Sequence, residues 1–107
     1  MSQVGSEKDC PPSPDFDGTL SREMQIVNRR GLHARATAKF VQCVDRFDAD
    51  VTVTRCGETV GGDSIMGILT LGAGPGSTIT VSALGRDARE ALDALAELVS
   101  GRFGEDE

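Results

Sequence analysis

The sequence predicts an α+β domain in which a four-stranded antiparallel sheet is covered on one face by three helices. Two observations lead to this fold class. Segments in which apolar and polar residues alternate, as in half-buried strands, are interleaved with segments whose apolar residues recur every three or four positions, as in amphipathic helices. Their order, β-α-β-β-α-β-α, is typical of a two-layer domain with its helices on one side of the sheet.

The N-terminal segment differs in composition from the rest of the chain. Residues 1–20 hold three of the four prolines and scarcely any apolar periodicity, so we expect a disordered extension there. We expect the folded domain to span residues 21–104 and an acidic tail to follow at residues 105–107.

The first predicted strand and helix flank a short turn. Residues 24–27, Met-Gln-Ile-Val, are predicted to form a strand, and the Asn-Arg-Arg-Gly sequence after them a turn. The helix is predicted to begin at Ala34 and to end near Asp45. Its apolar stripe would consist of Ala38, Val41 and Val44, with Phe40 and Phe47 beside it.

The middle of the chain predicts a hairpin followed by a short helix. Residues 49–54 alternate between apolar residues and threonine, and residues 55–58 have the composition of a turn. A glycine pair stops the returning strand after residue 60. Ser64 then has the side chain that favours an N-cap for a helix over residues 65–71.

The C-terminal third predicts a strand at residues 77–83 and a long helix after it. Asp87 and Glu90 have the spacing of a capping box at the start of that helix. Residues 101–104 are expected to fray into the tail. The apolar face of the helix is formed by residues spaced three and four apart, which are Ala88, Ala91, Leu92, Leu95, Leu98 and Val99.

The net charge of −6 is carried by the two ends of the chain. Residues 1–23 and residues 105–107 each carry −3, whereas residues 24–104 hold nine acidic and nine basic residues. A neutral body without a basic face argues against nucleic-acid binding. No apolar run approaches the roughly 20 residues that a membrane-spanning helix needs, so no membrane insertion is expected.

The three cysteines, Cys10, Cys43 and Cys56, are odd in number and widely spaced. The N-terminus also lacks the charged and then apolar pattern of an export signal. We therefore expect free thiols and a cytoplasmic location. We also expect a monomer.

His33 is the only histidine, and it lies where the chain turns into the first predicted helix. Gly31 allows a sharp turn before it, and the helix N-terminus offers unpaired N–H groups and a positive dipole end to an anion. Arg35 adds a cation whose planar fork matches a phosphate. These features predict a histidine that carries a phosphoryl group, although residue type alone also allows a histidine without chemistry.

Three other functional interpretations of the sequence have weaker support. The glycines at positions 72, 74 and 76 lack the strand–loop–helix context of a nucleotide-binding motif, so a plain loop is expected. His33 and the cysteines lack the short spacing of a structural metal site, and neither a metal nor another cofactor is expected. A Ser-His-Asp hydrolase would need a pocket that so small a chain can hardly enclose.

Taken in order, these motifs resemble those of the HPr family, the histidine phosphocarriers of the bacterial phosphoenolpyruvate-dependent phosphotransferase system. The resemblance covers residues 24–103 and depends on Gly-Leu-His-Ala-Arg-Ala at 31–36 and Gly-Asp-Ser-Ile-Met-Gly-Ile-Leu-Thr-Leu-Gly at 62–72. It implies an open-faced β-sandwich. It also implies that His33 takes a phosphoryl group on Nδ1 from phosphorylated enzyme I and passes it to a histidine of an enzyme IIA domain.

The same resemblance implies roles for the residues around His33. Arg35 would steady the phosphoryl group, and the backbone N–H groups of Ala34 and Arg35 would bind it. Ala36 stands where many members have proline, so it restores a backbone N–H in the first helical turn, which would be a third donor that binds the phosphoryl group.

A second set of implied roles concerns the short helix. Ser64 matches the serine that HPr kinase/phosphorylase modifies in some lineages. Phosphate there would add about two negative charges beside an apolar surface and weaken the binding of a partner. That surface would consist of Ile65, Met66 and Leu69.

The sequence departs from the sugar-transport carriers at the positions of their lysines, where it has Gln42, Asp45, Asp63 and Gly67. Steering of partners by charge should therefore be weak, and apolar contacts would have to dominate. This resembles the nitrogen-related branch and alphaproteobacterial carriers. The chain also continues past the usual end of the family, which leaves open any role for a terminal carboxylate near the site.

Two other interpretations stay open. One is a binding-only regulatory module that works through Ser64 and the surface of Ile65, Met66 and Leu69. The other is a structural or enzymatic domain with a coincidental motif. A carrier of this kind would be a co-substrate in a transfer chain more than a free-standing enzyme.

Overall fold

The computed structural model describes residues 19–105, which form one sheet with three α-helices. Most of the predicted extension, and the last two residues of the acidic tail, lie outside these described residues. The elements in chain order are β1 (Leu20–Gln25), α1 (Ala34–Val44), β2 (Asp50–Arg55), β3 (Glu58–Gly61), α2 (Ile65–Thr70), β4 (Thr78–Leu84) and α3 (Ala88–Ser100), followed by a 3-10 turn at Arg102–Gly104.

The sheet has the strand order β1-β4-β2-β3, and every pairing is antiparallel. In its registers Met24 lies opposite Ile79 and Val53 opposite Val81, so the apolar positions of alternate strands share one face. These four side chains are buried beneath the helices. The other face carries the hydroxyl side chains of the alternate positions, Thr52, Thr54, Thr80 and Ser82. The predicted fold class is confirmed.

The buried side of helix α1 matches the predicted apolar stripe only in part. Its buried residues are Ala36, Thr37, Phe40, Cys43 and Val44. Val44 is buried and the half-buried Val41 packs against the core, as predicted, whereas Ala38 is half-buried and is not part of the core. The reason is geometric: Phe40, the largest apolar side chain of the helix, is fully buried, and a residue two positions away lies about 200° around the helix axis.

Helix α3 has the predicted apolar face, with only Leu98 half-buried. The predicted capping box is wrong, because the Asp87 side chain makes no cap hydrogen bond to its own helix. Its Oδ2 instead accepts a hydrogen bond from the backbone N–H of Asp48 at 2.8 Å. This bond ties the start of α3 to the segment between α1 and β2.

The segment after α3 does not fray as predicted. Arg102, Phe103 and Gly104 all have positive φ angles, of 60°, 56° and 76°, and form the 3-10 turn. Two consecutive non-glycine residues in this conformation are uncommon. Phe103 is fully buried in the core, and its burial compensates for the unfavourable backbone.

Of the two cysteines within residues 19–105, one matches the prediction of a free thiol and one does not. Cys43 is a free thiol buried in the core, and burial raises its pKa while the nearby positive charge of Arg46 opposes this shift. Cys56, at the turn between β2 and β3, is disulfide-bonded, so the prediction of a free thiol there is wrong. Within residues 19–105 no helix has the length and apolar content that a membrane span requires.

Candidate functional site: a histidine at the start of the first helix

His33 is the N-cap residue of α1. Its backbone is extended, with φ −79° and ψ −178°, and its carbonyl accepts the first helical hydrogen bond from the N–H of Thr37 at 2.9 Å. Its Nδ1 accepts a hydrogen bond from the backbone N–H of Arg35 at 3.2 Å. The ring is therefore held against the first turn of the helix, at the helix N-terminus that the sequence predicts.

The loop before His33 depends on a glycine. Gly31 has a φ of +67°, and a Cβ atom there would lie 2.7 Å from the carbonyl oxygen of Ala73 and 2.8 Å from Cα of Gly74. The N–H of Leu32 donates to the same Ala73 oxygen at 2.9 Å. The glycine-containing loop that follows α2 thus supports the backbone of the site, and it needs both the positive φ and the absent side chain at position 31.

The second ring nitrogen of His33 meets a carboxylate. Nε2 lies 2.7 Å from Oε2 of Glu105, and Oε1 of Glu105 accepts a hydrogen bond from Nδ2 of Asn28 at 3.1 Å. The side chain of His33 is 25% exposed and that of Glu105 is 19% exposed. Because Nδ1 accepts and a carboxylate can only accept, the neutral ring carries its proton on Nε2 and a lone pair on Nδ1.

The C-terminal turn brings Glu105 to this position. Phe103 is anchored in the core, and Nζ of Lys39 on α1 donates to the carbonyl oxygen of Phe103 at 2.6 Å. The next two residues then reach the start of α1. A side chain in the predicted acidic tail therefore belongs to the site.

The surroundings of Glu105 keep its side chain ionised. Hydrogen bonds from His33 and then from Asn28 are the main causes that lower the pKa of this carboxyl below its ordinary value of 4.5. The charges of His33 and Arg30 act in the same direction, and desolvation opposes them only in part. At neutral pH the ring of His33 faces a carboxylate anion.

The other residues of the first helical turn differ in access. Ala34 and the side chain of Arg35 are exposed, whereas Ala36 is fully buried. All three N–H groups belong to the first turn, where no carbonyl of the same helix can accept them. Those of Ala34 and Arg35 lie on accessible residues, and the N–H of Ala36 is covered in this conformation.

Helix α2 packs against α1 and carries the other motif of interest. Oγ of Ser64 accepts a hydrogen bond from the N–H of Gly67 at 3.0 Å, as its predicted capping role requires. A Cβ atom at Gly67 would lie 2.9 Å from Oγ of Ser64 and 3.0 Å from Cβ of Val60, so only glycine fits closely against the cap.

The structure divides the apolar residues of α2 in a way that the sequence could not. Ile68 is fully buried, Leu69 is half-buried, and Ile65 and Met66 are exposed by 40% and 71%. Met66 is the most exposed of the large hydrophobic side chains between residues 19 and 105. An apolar surface therefore lies on the helix next to the one that begins at His33.

Sequence reasoning missed two residues of the site, Asn28 and Glu105. The sequence places Asn28 only in a predicted turn. In the structure it is fully buried, and its Nδ2 donates to the carbonyl oxygen of Gly31 at 2.8 Å and to Glu105. One available signal was Phe103, since an aromatic residue in an otherwise polar ending indicates a segment that is anchored in the core. Nothing local indicated Asn28.

No group of three or more histidine, cysteine or acidic side chains within residues 19–105 could hold a metal ion. The site is a partly exposed group of one imidazole, one carboxylate, one amide and the first turn of a helix. Chemically, it offers a nucleophilic nitrogen beside donors for an anion.

The chain thus combines a four-stranded antiparallel sheet with a histidine that caps its first helix. Residues 20–101 match the family model described as "PTS HPr component phosphorylation site". The phosphocarrier protein HPr of Cupriavidus necator is 48% identical over 88 residues, covering 82% of this chain and 99% of that protein. The phosphocarrier protein NPr of Shewanella violacea is 41% identical over 86 residues, covering 80% and 94%.

The solved structures that resemble this fold include proteins of the same family as these relatives. HPr-C-His from Thermoanaerobacter tengcongensis superimposes with a TM-score of 0.79 at 39% identity, covering 82% of this chain and 99% of that one. HPr from Bacillus anthracis gives a TM-score of 0.75 at 44% identity, covering 78% and 99%. The chain belongs to the HPr family. Its role is that of a phosphocarrier of the phosphotransferase system.

Proposed function

We propose that His33 accepts a phosphoryl group on Nδ1 from the phosphohistidine of enzyme I and passes it to a histidine of an enzyme IIA domain. The observation that carries this proposal is the placement of the ring, whose Nε2 lies 2.7 Å from Oε2 of Glu105 while Nδ1 accepts from the N–H of Arg35, which favours the tautomer with its lone pair on Nδ1. That lone pair attacks phosphorus as the bond to the donor histidine breaks. The ring becomes cationic and keeps its Nε2 proton next to the carboxylate.

The first turn of α1 supplies the donors for the phosphoryl oxygens. When Nδ1 becomes phosphorylated it no longer accepts from the N–H of Arg35, which is then free to donate to a phosphoryl oxygen. The N–H of Ala34 and the exposed guanidinium of Arg35 complete the set. The N–H of Ala36 joins them only if the ring moves away, since Ala36 is buried. So few donors on an open surface suit a group that has to leave again.

The exposed apolar surface of α2 is the proposed docking surface for the partner proteins. Ile65 and Met66 are its exposed members and Leu69 lies half-buried beside them. Gln42, Asp45 and Asp63 are exposed where sugar-transport carriers have lysines. Apolar contact, rather than a ring of positive charge, is therefore the proposed basis of recognition.

A second modification site is proposed at Ser64. Its hydroxyl is half-buried and caps α2 through the N–H of Gly67. Phosphorylation by an HPr kinase/phosphorylase would put about two negative charges beside Ile65 and Met66 and weaken partner docking. Incubation with that enzyme and ATP should add one phosphate, which Ser64→Ala should abolish. A Ser64→Ala variant that is still phosphorylated would rule this site out.

The branch of the system is also a proposal. Both HPr and NPr proteins are among the relatives, and the missing lysines favour the nitrogen-related branch. Faster phosphorylation by a nitrogen-type enzyme I than by a sugar-type enzyme I would support that assignment. The reverse preference would assign the chain to sugar transport.

We further propose that the chain acts as a monomer in the cytoplasm, with a disordered N-terminal extension before its folded domain. We take that domain as residues 20–105 rather than the predicted 21–104, because β1 begins at Leu20 and Glu105 bonds to His33. An HPr dimer from Thermoanaerobacter tengcongensis is among the structural neighbours. Light scattering on the purified chain should give the mass of one copy, and a mass of two copies would contradict this.

The relay itself is tested by phosphorus NMR after incubation with phosphoenolpyruvate, magnesium and catalytic enzyme I. We expect an acid-labile phosphoimidazole signal in the native chain and in Glu58→Gln, an exposed control at the start of β3. His33→Ala should give none. If the native chain gives no signal with either type of enzyme I, the relay is wrong and a binding-only module acting through α2 becomes the better explanation.

A further inference from the structure

The contact between Glu105 and His33 is determined by the backbone of the C-terminal segment that precedes Glu105. Three consecutive residues with positive φ, the buried Phe103 and the bond from Lys39 to its carbonyl oxygen all determine where the chain lies just before Glu105. Such a backbone is unfavourable unless the surrounding structure requires it. The C-terminal segment is thus built to deliver a carboxylate to the histidine.

Both oxygens of that carboxylate are used. Oε2 accepts from Nε2 of His33 at 2.7 Å, and Oε1 accepts from Nδ2 of Asn28 at 3.1 Å. A side chain held at both oxygens has lost the freedom to rotate. The carboxylate therefore occupies the Nε2 edge of the ring in one orientation.

Asn28 can present only its NH2 group to this carboxylate. The same Nδ2 also donates to the carbonyl oxygen of Gly31 at 2.8 Å, so both neighbours are acceptors and a flipped amide would set oxygen against oxygen. The Oδ1 atom is buried and has no partner among the described residues. Leaving a buried acceptor without a partner is unfavourable. An amide at position 28 is therefore a costly choice for packing alone, which points to a role in the hydrogen bonds that its NH2 group makes.

We propose that Glu105, held by Asn28, is a positioning residue that restricts phosphorylation of His33 to Nδ1. It acts in two ways: it keeps the proton on Nε2, and its negative charge at that edge repels an incoming phosphoryl group. The proposal rests on the proposed function, in that His33 is the phosphoryl acceptor. It adds the reason why one of two chemically similar nitrogens reacts.

The step can be written with a small donor that needs no protein partner. In phosphoramidate, Nδ1 of His33 attacks phosphorus, the phosphorus–nitrogen bond breaks, and ammonia leaves with the electron pair and the protons of the donor nitrogen. The ring keeps its Nε2 proton and gains a positive charge, which the carboxylate of Glu105 faces directly. A carboxylate in that place stabilises the product as well as the reactive tautomer.

The first test measures the tautomer without any phosphorylation, from the nitrogen-15 shifts of the His33 ring. We expect the native chain and the Glu58→Gln control to carry the proton on Nε2. In Glu105→Gln the amide oxygen should accept from Asn28, which turns the amide NH2 toward His33. Nε2 must then accept, so the Nδ1–H tautomer should increase. A tautomer ratio equal to the native one in Glu105→Gln would overturn the proposal.

The second test phosphorylates the same proteins with phosphoramidate and follows the two phosphohistidine isomers by phosphorus NMR. We expect the Nδ1 isomer to dominate in the native chain, with a small measurable share of the Nε2 isomer. In Glu105→Ala, which frees the Nε2 edge, the ratio of Nε2 to Nδ1 product should rise about tenfold or more, as loss of a charge-assisted hydrogen bond implies. Asn28→Ala should show a smaller rise, because the carboxylate remains but is no longer held.

The outcomes separate this proposal from the relay. If Glu105→Ala gives the native isomer ratio while its amide spectrum shows the native fold, the positioning role is wrong whatever enzyme I does. If the native chain reacts with phosphoramidate at Nδ1 but with no enzyme I, the relay is wrong and the positioning role stands. Glu105→Gln, which keeps the size of the side chain, provides the test if Glu105→Ala does not fold.

Discussion

At the scale of the residue, His33 has two tasks that use the same atom. Nδ1 caps the helix by accepting from the N–H of Arg35, and the same lone pair is the proposed phosphoryl acceptor. Phosphorylation therefore replaces one cap by another, since phosphoryl oxygens can take over the N–H group. The exchange leaves the helix capped in both states, which favours a transfer that is easily reversed.

This double role predicts different effects for two substitutions of His33. His33→Ala should lower the free energy of unfolding by about 1 kcal/mol through loss of the cap, whereas His33→Asn restores a favoured capping side chain and should recover much of it. Neither variant should accept phosphate. Urea unfolding measures the first effect and phosphorus NMR the second. Equal stability of the native chain and His33→Ala would show that Nδ1 adds nothing as a helix cap.

Glu105 predicts a pH dependence of stability. Because its pKa in the folded chain lies below the ordinary value of 4.5, the ionised carboxylate stabilises the fold above that pH. This contribution is lost as the pH falls through the lowered pKa. Glu105→Gln should therefore melt below the native chain above pH 4.5 and approach it as the pH falls below that value.

Thermal unfolding at several pH values measures this difference, with Glu58→Gln as the exposed control. His33 and Arg30 are the charged groups that act on Glu105, and both favour its ionised form. A melting difference for Glu105→Gln that stays constant from neutral to acid pH would argue against an ionised carboxylate in the contact.

At the scale of the element, the 3-10 turn after α3 decides whether the site is complete. Its backbone conformation is locally unfavourable. The turn persists because the Phe103 side chain is buried and Nζ of Lys39 donates to the carbonyl oxygen of Phe103. His33 caps the start of helix α1. About two turns further along, Lys39 of the same helix binds the segment that leads back to His33 through Glu105. The helix and the C-terminal turn stabilise each other.

Removal of the Phe103 side chain should therefore affect both stability and the site. Phe103→Ala should lower the free energy of unfolding by about 3–5 kcal/mol, as large-to-small changes in a core do. The nitrogen-15 shifts of His33 should move in the same way as in Glu105→Ala, because the carboxylate is no longer delivered. Phe47→Ala is the matched control, since Phe47 is only half-buried and should leave the ring unchanged. Unaltered ring shifts in Phe103→Ala would contradict this account.

At the scale of the whole molecule, the net negative charge lies at the two ends of the chain and not in the body of the domain. Residues 24–104 are neutral while both ends are acidic. A neutral surface exerts little long-range force on a partner. The exposed apolar side chains of α2 are then the main feature that a docking protein can recognise.

This distribution predicts a weak salt dependence of phosphoryl transfer. Between roughly 0.01 and 1 M salt the screening length falls from about 30 to 3 Å, and electrostatically steered associations slow by about 10- to 1000-fold. We expect the rate of transfer from enzyme I to this chain to change less than about tenfold over that range. Stopped-flow measurements would decide, and a steep decline would show that charge does steer the encounter. Met66→Ala should lower the rate at every salt concentration.

The sequence by itself determined the order of the elements, the fold class, the location of His33 at a helix start and the cap at Ser64. These features follow from periodicity and from capping side chains, which act within a few residues along the chain. The tertiary structure decided which side of α1 is buried, the bond from Asp48 to Asp87 across 39 positions, and the contact of His33 with Glu105 across 72. Such contacts join polar residues that look like ordinary surface positions, and only the packing of Phe103 against the sheet and helices brings the last two together.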